Sequence, residues 1–121
     1  MYPEADITYA IRGSAFDVYN QLGPGLREAI YQRALVKKLI DQGWVCELEK
    51  IVDVPLDGKT LIKQKIDLLV ANKVLVEVKA KGSLLPIDEA QTIAYLKVSG
   101  VQVGLLINFS SRPIQIKRFV N

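Results

Sequence analysis

Asp67, Glu77 and Lys79 are the residues of this sequence with the clearest chemical potential. They lie in two apolar stretches, Ile66-Asp67-Leu68-Leu69-Val70 and Val74-Leu75-Val76-Glu77-Val78-Lys79-Ala80, separated only by Ala71-Asn72-Lys73. That spacing predicts an antiparallel hairpin with a three-residue loop, in which Asn72 or Lys73 takes the left-handed conformation. In the corresponding register Val70 faces Val74 and Asp67 faces Glu77. One face then carries Ile66, Leu68, Val70, Val74, Val76 and Val78, and the other Lys65, Asp67, Leu69, Leu75, Glu77 and Lys79. A two-residue loop would set Asp67 against Val78 and mix charged with apolar side chains on both faces, so the hydrophobic pattern selects the first register.

Two carboxylates facing each other across a hairpin repel unless a cation lies between them. With carboxylates but no imidazole or thiolate in the set, the fitting ions are hard ones such as Mg²⁺ and Mn²⁺. Lys79 projects to the same face as Glu77, where an ammonium can orient an attacking water or offset charge developing on a phosphoryl oxygen. Metal-assisted phosphodiester hydrolysis needs such a set. The competing reading is a solvated hairpin face neutralised by diagonal Lys-Asp and Glu-Lys pairs. Gln91 and Tyr95, one helical turn apart, could belong to a helix packed over this face, or could be an ordinary surface and core residue. Glu28 shares a helix side with Tyr31, Leu35 and Leu39, an unusual place for a carboxylate, although it could simply favour its helix N-terminus.

Composition removes many other chemistries. The chain has no histidine and one cysteine, Cys46, so imidazole-dependent nucleophile systems, the usual zinc ligand sets and an internal disulfide are excluded. Half of the residues are hydrophobic and 24% charged, as in an ordinary globular protein. The length suits one domain. A net charge of +3 permits a polyanionic partner without requiring one. No apolar run is long enough for a membrane span, and the N-terminal Met1-Tyr2-Pro3-Glu4-Ala5-Asp6 lacks a targeting pattern, which gives the expectation of a cytoplasmic protein with no membrane association.

The elements that must position these groups follow from periodicity. Residues 6–21 carry Ile7, Ala10, Ile11, Ala15 and Val18 on one helical stripe continued by Leu22, and Gly23-Pro24-Gly25 ends that helix. A second helix is expected from Leu26 to Asp41, stopped by Gly43. Residues 44–54, 59–70 and 74–80 read as strands, with turn chemistry at Pro55 to Gly58. A third helix is expected over 88–99, closed by Gly100, followed by strands over 101–109 and 113–120. The order ααβββαββ predicts an α/β fold with a mixed sheet flanked by helices.

Several landmarks together resemble a known family. Gly25-Leu26-Arg27-Glu28-Ala29-Ile30-Tyr31 matches the signature of the GxxExxY proteins, a branch of the PD-(D/E)XK nuclease-like superfamily. Ile66-Asp67-Leu68-Leu69-Val70, Val76-Glu77-Val78-Lys79-Ala80, Ala90-Gln91-Thr92-Ile93-Ala94-Tyr95-Leu96 and Gly104-Leu105-Leu106-Ile107-Asn108-Phe109 follow in matching order, so the likeness covers roughly residues 7 to 119. The proline of the superfamily name is replaced by Ile66, at a position that contributes no ligand. The resemblance implies a restriction-endonuclease-like core spanning 1–121 as a single domain. It also implies a Mg²⁺- or Mn²⁺-dependent nuclease, a hydrolase of phosphodiester bonds. By it, Asp67 and Glu77 are metal ligands, Glu28 is a further acidic residue of the site, and Lys79 activates water or stabilises charge. Gln91 and Tyr95 correspond to a Gln-x-x-x-Tyr element beside the metal centre. Nucleic acid is the implied partner, DNA ahead of RNA, with a homodimer or protein partner needed for any sequence specificity. Lys63, Lys65, Lys81, Lys97, Arg112, Lys117 and Arg118 could neutralise phosphates, with solvated surface as the default for most of them. The alternative is a catalytically weak or inactive nuclease-like module that binds nucleic acid or a protein partner.

Overall fold

The computed structural model describes residues 3–121; Met1 and Tyr2, part of the segment read for targeting, lie outside the described residues. The elements run α1 (Ala5–Leu22), α2 (Glu28–Asp41), β1 (Cys46–Leu56), β2 (Lys59–Val70), β3 (Val74–Lys79), α3 (Pro86–Ser99), β4 (Val103–Asn108) and β5 (Gln115–Val120), the order expected from sequence. They build a five-stranded sheet in the order β1-β2-β3-β4-β5. Only β3 and β4 are parallel, because α3 carries the chain back across the sheet between them, whereas the other neighbours are antiparallel.

Local chemistry explains most boundaries. Asp57 and Gly58, at φ 52° and 76°, form a two-residue turn with both residues left-handed, and Leu56 pairs with Lys59 across it. β1 therefore continues through Pro55, with a register shift between Val54 and Pro55 where the proline has no N–H to give the ladder. At the next hairpin Ala71 and Asn72 are left-handed, rather than Lys73. Helix α2 starts at Glu28, two residues later than expected, because the Leu26 N–H is satisfied by the Tyr31 hydroxyl instead of a helical carbonyl. The Tyr31 hydroxyl in turn donates to the Gly23 carbonyl.

Helices cover both sheet faces. Ile7, Ile11, Ala15 and Val18 of α1 and Tyr31, Leu35 and Leu39 of α2 bury against Leu68, Val70, Val74, Val76 and Val78. On the opposite face Leu96 of α3 packs with Leu69, Leu75 and Ile66. Gly104 of β4 makes that approach possible, since a Cβ there would lie 3.1 Å from a Leu96 methyl.

One face assignment is corrected. The expected pairing holds for Val70 with Val74, Leu69 with Leu75 and Leu68 with Val76, but Ile66 sits on the α3 side with Leu69 and Leu75. The β1–β2 ladder passes from the Leu48–Leu68 pair to the Lys50–Ile66 pair without a Glu49–Asp67 pair, and Glu49 is left-handed at φ 55°. That irregularity breaks the strict alternation between Leu68 and Ile66. Beyond Leu68 the strand β2 also parts from β3, so its outer half, from Lys59 to Asp67, pairs with β1 alone. Among the described residues no helix is long and apolar enough to cross a membrane.

Candidate functional site

The parting of β2 from β3 creates the opening that holds the acidic pair. Because the ladder stops at Leu68 and Val76, Asp67 does not form a ladder pair with Glu77. Instead the Val78 N–H donates to Asp67 Oδ2 at 2.9 Å, so a side chain replaces the missing strand partner. Glu77 lies on the α3 side of the strand and is only 3% exposed, which removes the solvated-face reading for this residue. The diagonal neutralisation of that competing reading is also absent at Lys65, which meets Glu49 at 3.8 Å.

Burial of Glu77 has an electrostatic consequence. Its carboxyl is pushed up to about 9, first by loss of solvent and then by hydrogen bonding and repulsion with Asp67; the Asp67 backbone N–H and the Lys79 charge only partly oppose this. Among the described residues the buried Oε1 of Glu77 has no hydrogen-bond partner. An orphaned carboxylate oxygen beside a second carboxylate is a costly arrangement in a metal-free protein. A hard divalent cation would satisfy both groups with oxygen ligands, so the residues present fit such an ion. The described residues nevertheless contain no ready-made group of three or more acidic, histidine or cysteine ligands.

Helix α3 lies over the pair and supplies the polar residues expected from it. Lys79 Nζ donates to Gln91 Oε1 at 3.1 Å, and Gln64 Nε2 donates to the Tyr95 hydroxyl oxygen at 3.1 Å, with Gln91 one helical turn before Tyr95 on α3. The Tyr95 hydroxyl is pushed up by burial and by the nearby charges of Glu77 and Asp67. Asp67, Glu77, Lys79, Gln91 and Tyr95 thus come together as their spacing suggested.

Glu28 stands apart from the apolar stripe in which it was placed. Tyr31, Leu35 and Leu39 are fully buried, whereas Glu28, the first residue of α2, is exposed at the rim. It still senses the site: partial desolvation raises its pKa, Lys79 opposes and Asp67 adds to the rise. Its place is set by Tyr31, whose ring stacks on Phe109 with centroids 4.8 Å apart, while the Phe109 N–H donates to the Lys79 carbonyl at 2.9 Å. Gly25, at φ 108°, reaches Ser110 Oγ with its N–H at 3.1 Å. The glycine and tyrosine flanking Glu28 therefore fasten the start of α2 to the end of β4, next to the strand that carries Lys79.

Three participants escaped the sequence reading, Asp88, Asn108 and Gln64, and a fourth, Lys81, was considered there only for phosphate. Lys81 lies one strand alternation past Lys79 and binds Asp88 at 3.0 Å, and Asp88 also accepts the Leu85 N–H at 2.8 Å, capping α3. Burial alone would raise the Asp88 pKa, but Leu85 and Lys81 hold it below the usual carboxylate range. Asn108, fully buried, holds the Lys81 backbone through bonds of 3.1 and 2.9 Å. It is the one polar residue in a buried strand, a signal visible in Leu105-Leu106-Ile107-Asn108-Phe109. Gln64 had no such signal. Of the basic residues considered for phosphate binding, Lys63 meets Asp53, Lys117 meets Glu89, and Arg118 donates to the Pro3 carbonyl. Lys97 and Arg112 are exposed.

Comparison with known proteins agrees with this architecture. The sequence profile of the PD-(D/E)XK nuclease superfamily matches residues 5–119, and the chain belongs to that superfamily. Among solved structures, the crystal structure of SSO0001 is similar, with a TM-score of 0.59 and 23% identity over 78% of this chain and 50% of that one. An alkaline exonuclease, LHK-Exo, from Laribacter hongkongensis is similar over all of this chain and 72% of its own, with a TM-score of 0.55 and 13% identity. The chain thus spans half the length of the first and about three-quarters of the second. These likenesses establish the restriction-endonuclease-like α/β fold. Among curated proteins no relative matches.

Proposed function

We propose that this member of the PD-(D/E)XK nuclease superfamily is a nuclease dependent on Mg²⁺ or Mn²⁺, of the GxxExxY branch, acting on DNA ahead of RNA. The observation that carries the reading is Glu77: a buried carboxyl, raised to about 9, with an unpartnered oxygen beside Asp67 and within reach of Lys79. Asp67 and Glu77 would hold the ion, with Glu28 as a further acidic group at the rim. The bound ion would supply Lewis-acid polarisation of the scissile phosphate and make a water more acidic. Lys79 places a positive charge where a phosphoryl oxygen becomes more negative, held there by Gln91. Tyr95 would support Gln91 from one turn along α3. The whole chain is read as one domain, acting in the cytoplasm, with sequence selectivity left to a second copy or a protein partner.

The test is cleavage of single- and double-stranded DNA and RNA with Mg²⁺ or Mn²⁺, with an EDTA control and Lys79→Ala. Metal-dependent cleavage lost in the variant supports the proposal and identifies the substrate. Equal cleavage by wild type and variant overturns the site. Metal or nucleic-acid binding without cleavage favours the nuclease-like binding module instead.

A further inference from the structure

We infer that Gln64 is a positioning residue for Lys79, acting through Tyr95 and Gln91. The inference rests on the nuclease reading only for its effect on cleavage. Gln64 lies on the outer half of β2, where the strand has left β3 and pairs with β1, its partner being Val52. It is therefore presented to α3 by the projecting β1–β2 hairpin, three residues before Asp67 on the same strand. Its Nε2 donates to the Tyr95 hydroxyl oxygen at 3.1 Å and to the Lys65 carbonyl at 2.9 Å, using both amide hydrogens.

The remaining bonds form a directional chain. Gln91 Oε1 accepts from Lys79, which leaves its amide hydrogens available to the Tyr95 oxygen, one helical turn along α3. The Gln64 amide thus locates the Tyr95 oxygen, which lies close enough to Gln91 to bear on the sense of its amide. Lys79 sits on a flexible stem and needs one such acceptor to be held in place. Without Gln64, the amide donor that locates the phenol is gone. Gln91 can then reverse its amide, presenting hydrogens instead of an oxygen to the ammonium.

The chain is testable in the metal-free protein. The Lys79 ammonium, identified by its loss in Lys79→Arg, should give a resolved nitrogen-correlated NMR signal in wild type, because a held ammonium exchanges its protons slowly. Gln64→Leu should broaden that signal, as should Tyr95→Phe, and the double variant should be no worse than Tyr95→Phe alone. In cleavage assays Gln64→Leu should lower kcat about tenfold with KM and Mn²⁺ affinity unchanged, the mark of a misplaced group at the reacting centre. An unchanged ammonium signal in Gln64→Leu overturns the inference, as do additive effects of the two substitutions or a wild-type ammonium that is never held. If wild type cleaves nothing, the nuclease reading fails, while the ammonium measurement still decides the role of Gln64.

Discussion

Replacing Glu77 by Gln should make the metal-free protein more stable and remove its loss of stability with rising pH, while weakening metal binding. The sign follows from the raised carboxyl. Its folded-state value of about 9 lies above an unfolded value near the ordinary 4.5, so the fold favours the neutral form. Its contribution to stability is complete below the unfolded value and is lost as pH rises from there through the folded one. At about pH 7.5 the difference of roughly 3 pH units corresponds to at most ~4 kcal/mol at ~1.36 kcal/mol per unit. Local relaxation around the charge brings the expected gain to about 2–4 kcal/mol. Gln mimics the protonated acid, because its amide can donate to Asp67 where the shared proton would lie. With an unfolding entropy of ~2.1 cal/mol/K per residue, a chain of this length shifts its Tm by about 4 °C per kcal/mol, so Glu77→Gln should melt roughly 8–15 °C higher. The groups facing Glu77 are Asp67, Lys79 and Tyr95, which the substitution leaves in place. The assay is thermal unfolding by circular dichroism in EDTA between about pH 5 and 9, followed by calorimetric Mn²⁺ titration. Wild type should lose stability across that range and the variant should not, with Mn²⁺ affinity lower in the variant by about tenfold or more. Parallel melting curves with pH and unchanged Mn²⁺ affinity would refute both the electrostatic argument and the ligand assignment.

Asp88→Asn should cost about 1–2 kcal/mol, since it weakens the cap at Leu85 and the Lys81 pair; the lowered acid places this stability above the unfolded value near 3.8, fading as pH falls through the folded one, so urea melts of variant and wild type should converge in acid. Gly104→Ala should destabilise by about 1–3 kcal/mol, because the added Cβ lies 3.1 Å from Leu96, whose side chain must give way; an unchanged melting temperature would show that Leu96 yields without loss. Tyr31→Phe should preserve the stack on Phe109 but release the 23–27 segment, costing about 1–2 kcal/mol and speeding amide exchange at Leu26, whose N–H loses its acceptor. Lys79→Ala should reduce cleavage by about 10²-fold or more while leaving Mn²⁺ affinity within a few-fold, as measured by single-turnover kinetics and calorimetry.

Much of this molecule is written locally. The Asp57-Gly58 and 71–73 turns, the stop at Gly100 and the helical stripe of α1 each depend on conformational preferences of a few adjacent residues, so sequence determined them. The same holds for the hairpin register from Val70 and Val74 to Leu68 and Val76, which slippage by one residue would turn inside out. Even the grouping of Asp67, Glu77 and Lys79 was legible, since the two strands carrying them are joined by a short loop. Other features needed contacts between distant segments. Ile66 changes face because of a left-handed Glu49 on the neighbouring strand, a long-range irregularity without a local signature. Glu28 leaves the buried stripe because Tyr31 spends its hydroxyl on the preceding loop and shortens the helix. The burial of Glu77 depends on α3 crossing above it, and the Gln64–Tyr95 bond joins a projecting hairpin to that helix. Residue types and spacing determined which chemistry was available; solvent exclusion, which raises the Glu77 carboxyl and leaves one of its oxygens unpartnered beside Asp67, arises only when separate elements pack around the pair and lower the local dielectric.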